Sequence, residues 1–227
     1  MNAVGVNPYL YQSDTASGTA RTIISADGER TFATNLGASL ELNEKVVTHE
    51  IFGKWDYCYV EGYLIANRPT FTKTISIAKE CGCKVILDLA SFNVVEDNRD
   101  FLNELLPQID IIFANEEEAK ALTQKTAEES LHYIAENVDI AVVKIGKKGS
   151  LIKRGEEVVQ IGCNKIDVVD TTGAGDMYAA GFLYGLIKGY DLERCGTIGN
   201  HLAESIIQVV GAKMDEDRWN EFKNLAQ

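Results

Sequence analysis

Short apolar segments spaced by helical stretches of roughly 10 to 20 residues constrain this chain more than any other feature. Lys84-Val85-Ile86-Leu87-Asp88 and Asp110-Ile111-Ile112-Phe113-Ala114 are apolar without alternation. Strands read that way when both faces of their sheet are covered. Asp56 to Val60 and Asp139 to Ile145 continue the rhythm. Between them the pattern predicts helices from Pro69 to about Lys79, from Arg99 to Leu106 with Pro107 as the stop, and over 116–123 and 127–137. Strand and helix in alternation build β-α-β units and a parallel sheet. Ser150 to Lys153 and Val158 to Ile161 break the rhythm and read as an antiparallel pair at a sheet edge. From Ala174 onward the chain is mostly helical, over about 174–188, 193–209 and 215–225. Ahead of the first of these strands, the β-branched stretches Thr19 to Ser25 and Arg30 to Asn35 flank Ala26-Asp27-Gly28-Glu29, a turn signal, and predict a hairpin over 19–36. The expected class is α/β: a three-layer α/β/α domain with a mostly parallel sheet, plus a separate β hairpin.

Composition narrows the partners. The chain carries 34 acidic against 22 basic residues, a net charge of −12, which repels phosphate backbones and anionic lipid. Nucleic acid and membrane are therefore not expected as partners. The longest apolar run, Tyr178 to Ile187, falls well short of the ~20 residues a bilayer span needs. The start, Met1-Asn2-Ala3-Val4-Gly5, lacks a basic n-region before an apolar core, so the expected address is cytoplasmic. The 5 cysteines are odd in number, and Cys81-Gly-Cys83 is not the C-x-x-C of zinc or redox sites; reduced, partly buried thiols are expected.

Chemistry concentrates in Asp170-Thr171-Thr172-Gly173-Ala174-Gly175-Asp176, which lies between an extended segment and a long apolar helix. Two glycines around one small residue let the backbone turn tightly and leave N–H groups free at a helix N-terminus. There the helix dipole favours negative charge. This is an anion hole suited to a transferring phosphoryl group. Asp176, in the first helical turn, could take the proton of an attacking hydroxyl. A Gly-x-Gly turn before a helix is also common without any such role, and an Asp in a first turn stabilises the helix by itself. The phosphate signatures of P-loop and dinucleotide-binding proteins are absent.

The segment closely resembles the D-T-x-G-A-G-D signature of the ribokinase/PfkB family of sugar and nucleoside kinases. Asn115-Glu116-Glu117-Glu118 resembles the family's N-x-x-E motif, and Gly146-Lys147-Lys148-Gly149 its G-x-x-G nucleotide loop. Gly211-Ala212 resembles its late G-A element. Asp27-Gly28-Glu29-Arg30-Thr31 and Glu61-Gly62-Tyr63-Leu64 are similar to its adenosine-kinase-like members. The order of these motifs follows the family over nearly the whole chain. The resemblance implies ATP-dependent phosphoryl transfer to a hydroxyl of an adenosine-like nucleoside, or of a ribose- or fructose-type sugar. Its alternative is a nucleotide-binding remnant without turnover.

By that resemblance Asp176 is the base, and Gly173, Ala174 and Gly175 form the anion hole. Glu118 would orient Mg²⁺ through water, with Asn115 near the phosphates. Asn at an N-cap with Glu three residues on is also a capping box that needs no ligand. Lys144, Lys147, Lys148, Lys153 and Arg154 offer a local positive field to ATP, or are simply a solvated edge hairpin. Gly146 and Gly149 would let the backbone approach the nucleotide. His201 either lines an adenine pocket or packs under its helix. Asp170 and the backbone of Thr172 resemble the family's monovalent-cation site, for K⁺. Asp88 ends a core strand and is expected as a polar contact only.

The same comparison makes 1–227 a single kinase domain lacking the family's N-terminal portion, with a lid hairpin at 18–36 and a nucleotide-binding core at 50–227. A hairpin without lid partners and an open sheet edge are then expected, with a homodimer through either as the arrangement that would cover them.

Overall fold

The computed structural model describes residues 5–24 and 30–225. The expected turn at Ala26-Asp27-Gly28-Glu29 and the first four residues lie outside the described residues. Two compact units divide the chain, one within 1–55 and 64–83, the other within 56–63 and 84–227.

In the first unit β1 (Ser17–Ile24) and β2 (Arg30–Gly37) pair antiparallel, with Ser17 opposite Gly37 and Ile24 opposite Arg30. A single turn, α1 (His49–Phe52), and a longer helix, α2 (Arg68–Glu80), follow. α2 starts where its sequence says it must. The Asn67 side chain accepts the Thr70 N–H, and Pro69 occupies the first turn, where no N–H is missed.

The second unit is built on one six-stranded sheet. Its strands are β3 (Tyr57–Glu61), β4 (Lys84–Asp88), β5 (Ile111–Asn115), β6 (Ile140–Lys144), β7 (Ser150–Arg154) and β8 (Glu157–Ile161), hydrogen-bonded in that order. The first four run parallel; β7 and β8 are the expected antiparallel pair at the edge. Because each parallel strand adds to the same side, right-handed crossovers place their connecting helices on one face. Those within this unit are α3 (Phe92–Asp97), α4 (Arg99–Leu105), α5 (Glu116–Thr123) and α6 (Ala127–Ala135). The opposite face is left for α7 (Ala174–Ile187) and α8 (Leu192–Ile206), with α9 (Glu216–Leu225) beyond.

The core against α7 and α8 takes Ile86, Ile111, Phe113, Ile140, Val142 and Ile152 from the sheet. Phe113 meets Phe182 edge to face, centroids 5.4 Å apart. The alternate residues Val85, Leu87, Ile112, Ala114, Ala141 and Val143 are equally buried, which is why these strands show no alternation in sequence.

The region expected as one helix from Arg99 to Leu106 is α4 preceded by α3, which the pattern did not announce. Asn93-Val94-Val95 has poor helix propensity. Its turn is held by tertiary packing against α5, with Val95 fully buried.

Candidate active site

Four parallel strands end in polar residues: Glu61, Asp88, Asn115 and Lys144. They end at the carboxyl edge of the sheet, where open α/β sheets bind ligands. Register makes Glu61 the neighbour of Asp88, and Asn115 the neighbour of Lys144.

Asn115 and Glu118 form a complete capping box. The Glu118 N–H donates to Asn115 Oδ1 at 2.8 Å, and the Asn115 N–H donates to Glu118 Oε2 at 2.7 Å. Asn115 Nδ2 also donates to Glu118 Oε1 at 2.7 Å. The cap therefore places the buried Glu118 carboxylate at the strand ends. Burial pushes its pKa up; the Asn115 N–H and the Lys144 charge offset this only in part. A carboxyl raised in the folded state stabilises that state most below its ordinary pKa. The contribution is lost as pH rises through the raised value. Glu118→Gln should accordingly gain on the wild type as pH climbs from about 4 to about 7. Urea midpoints across that range measure it, and two parallel curves would refute it.

Lys144 leaves β6 with its side chain 16% exposed and its Nζ 3.4 Å from Asp88 Oδ2. The same oxygen accepts the Tyr59 hydroxyl at 3.1 Å. Loss of water, then the Asp88 charge, raises the Tyr59 pKa. Desolvation, Asp88 and Asp176 raise that of Glu61. Asp176 thus lies within electrostatic reach of the strand-end carboxylates, and its own side chain is exposed.

The loop before α7 is tightly determined. Gly173, its N-cap, sits at φ 81°, a conformation that favours glycine. Asp170 Oδ1 accepts the Thr172 N–H at 2.8 Å, and Oδ2 accepts the Gly211 N–H at 2.9 Å. One carboxylate thereby joins two motifs separated by 41 residues. The Ala174 N–H donates to the Thr171 carbonyl at 3.2 Å. Gly175 and Asp176 follow in the first turn, where a helix provides no internal partners for N–H groups. A Cβ on Gly175 would stand 3.2 Å from Lys144 Nζ, so the lysine reaches the helix N-terminus.

The five cations do not form one patch. Lys144 is at the carboxyl edge, and Lys147 and Lys148 are exposed on the following turn. Lys153 donates to the Gly155 carbonyl, and Arg154 forks onto Asp139 at 3.2 and 3.0 Å, where Lys84 joins at 3.5 Å. Antiparallel pairing sets Ser150 opposite Lys144 and carries Lys153 and Arg154 toward the far end of β6. Gly146 is exposed at φ 58°, whereas Gly149 is buried. A Cβ on Gly149 would fall 1.7 Å from the Ile161 carbonyl oxygen, so this glycine is required by backbone-to-backbone contact.

A cavity of about 230 Å³ lies beside α8, lined by Gly162, Asn164, Arg194, Asn200, His201 and Glu204. His201 Nε2 is buried there with no partner. Glu204, three residues on along α8, accepts the Asn164 N–H at 2.6 Å and Nδ2 at 2.8 Å. Asn200 fixes the Gly162 carbonyl at 2.9 Å. Neither Glu204 nor Asn200 stands in a sequence motif. Tyr59 was also missed, and Asp88 and Glu61 were understated. Their shared position at strand ends is the signal that could have found the last two.

The description "pfkB family carbohydrate kinase" matches residues 1–218. An uncharacterized sugar kinase of Archaeoglobus fulgidus is 29% identical over 213 residues, 90% of this chain and 82% of that protein. A nucleoside kinase of Methanocaldococcus jannaschii is 35% identical over 138 residues, 59% of this chain and 45% of its own length. Among solved structures, the adenosine kinase of Sinorhizobium meliloti superposes with a TM-score of 0.84 at 32% identity, covering 91% of this chain and 65% of that one. The chain thus spans less than two thirds of the last two.

Proposed function

The chain belongs to the pfkB family of carbohydrate kinases, and from that premise we propose that it transfers the γ-phosphate of ATP to a hydroxyl of a nucleoside or sugar. The observation that carries the reading is the meeting of the α7 N-terminus at Gly175, the Lys144 ammonium and the Asp176 carboxylate at one sheet edge. Phosphoryl transfer asks little of a protein beyond positioning and charge stabilisation. In this reading the first-turn N–H groups and Lys144 hold the phosphoryl oxygens, and Asp176 takes the proton of the acceptor hydroxyl. The cavity beside α8 takes the nucleotide base, with His201 Nε2 as its unpartnered polar atom.

Magnesium fits the site as a water-held ion. Among the described residues no three His, Cys, Asp or Glu side chains converge to cage a metal, and Mg²⁺ commonly keeps its waters and leans on phosphates. Glu118 is the residue that would hold it, through water, with Asn115 near the phosphates. When bound with ATP it neutralises phosphate charge. Asp170, the residue expected beside K⁺, already clamps two N–H groups, so the loop keeps its shape through that carboxylate.

Glu61-Gly62-Tyr63-Leu64 favours a nucleoside acceptor over a sugar. Among the described residues no helix is long and apolar enough to cross a membrane. The test is ADP release with adenosine, ribose and fructose in parallel, alongside the melting temperature with saturating ATP. Acceptor-dependent ADP release is the expected result. A shift of several degrees without turnover would leave a nucleotide-binding protein only, and no shift at saturating ATP would refute the reading.

A further inference from the structure

Asp88 is 4% exposed, and both its oxygens are used. Oδ1 accepts the Ala90 N–H at 3.2 Å, and Ala90 is held at φ 63°, a conformation L side chains rarely adopt. The turn after β4 is therefore fixed around this carboxylate. Oδ2 accepts from Tyr59 and from Lys144, which reaches it from β6 across the intervening β5. A buried ion pair returns little net stability, since both charges lose water. The direction in which it holds the lysine is more telling. Nζ lies against Gly175, in the first turn of α7, where the helix dipole is itself positive. A cation at that terminus is electrostatically opposed unless an anion enters beside it. Asp88 supplies the contacting charge, Glu118 lies within electrostatic reach of the ammonium, and an arriving phosphoryl group would add a further anion.

We propose that Asp88, seconded by Tyr59, is a positioning residue that holds the Lys144 ammonium at the N-terminus of α7, so that the lysine takes charge of the transferring phosphoryl group. This rests on the kinase reading above and assigns Asp88 a role acting through Lys144.

Asp88→Asn is the decisive variant. Asparagine keeps one oxygen for the Ala90 N–H and turns its amide N–H₂ toward the Tyr59 hydroxyl, which can accept as well as donate, and it loses the charge that holds the lysine. Affinities for Mg-ATP and Mg-ADP by titration calorimetry need no acceptor. Wild type should prefer ATP, and Lys144→Met should cut the ATP-to-ADP affinity ratio about tenfold. Asp88→Asn should cut it severalfold, Lys144→Arg should restore part of it, and Asp88→Asn with Lys144→Met should be no worse than Lys144→Met alone. The double variant also removes the unpaired buried carboxylate that Lys144→Met leaves, so folding is controlled by its melting temperature. An Asp88→Asn ratio equal to wild type, with or without a lower melting temperature, overturns the inference and leaves the kinase reading standing. Effects that multiply in the double variant overturn it too, because Asp88 would then act independently of the lysine. Wild type that binds no ATP removes the kinase reading and the inference together.

Discussion

Asp176→Asn should slow acceptor-dependent ADP release on the order of 10²- to 10⁴-fold, the range a positioned general base contributes. The substitution keeps size and polarity and removes the proton acceptor. Asp176 is exposed in the first turn of α7, so the fold should stand. Asparagine gives up part of the favourable charge–dipole contact there, a loss of about 0.3–1 kcal/mol. The two effects separate cleanly. Melting temperature and Mg-ATP affinity should stay near wild type while turnover collapses. Equal turnover in both proteins would remove Asp176 from the chemistry. A collapse of ATP affinity instead would mean that the carboxylate shapes the nucleotide site rather than accepting a proton.

Gly149→Ala should be among the most destabilising single changes available, and for reasons unrelated to nucleotide. At φ 96° an alanine is strained by roughly 1–2 kcal/mol, and its methyl would stand 1.7 Å from the Ile161 carbonyl oxygen. That neighbour is backbone in β8, paired to β7 directly beyond Gly149, and cannot step aside without opening the edge of the sheet. Overpacking of this kind adds about 1–3 kcal/mol or more, a large part of a typical domain's ~5–15 kcal/mol. Gly146→Ala is the control: φ is 58°, but nothing lies within 4 Å of the added carbon, so only the smaller strain applies. Denaturation midpoints compare them. If the two alanines cost the same, the contact with Ile161 is not what selects glycine at 149.

The pair shows how a motif can be legible and still be misread. Gly146-Lys147-Lys148-Gly149 marks a turn after a buried strand, and a turn is there. Nothing in the four residues says that one glycine faces solvent while the other faces a carbonyl twelve residues on. The cation cluster left two readings open for the same reason, and for Lys153 and Arg154 the edge hairpin is the one the structure has. Eleven residues of sequence compress Lys144 and Arg154 into one neighbourhood, and a hairpin then separates them along β6, where Asp139 takes the arginine. The capping box of Asn115 and Glu118 was legible in the sequence. The bonds that cap α5 are the bonds that set the Glu118 carboxylate at the sheet edge.

Local rules were enough for most of the elements, α3 excepted. Unbroken apolar runs meant strands covered on both faces, Pro69 meant a helix start, and Asp170 to Asp176 meant a tight turn opening a helix. Those signals are short-ranged, because propensity, capping and side-chain alternation act within a turn or a strand. Only the tertiary structure decided which charges meet. Asp88, Lys144 and Tyr59 come from three strands, and their contact depends on strand order and register, where a slip of one residue turns a side chain to the other face. The electrostatics of the site, unlike its helix and its turn, exist only once β4, β5 and β6 have been set side by side.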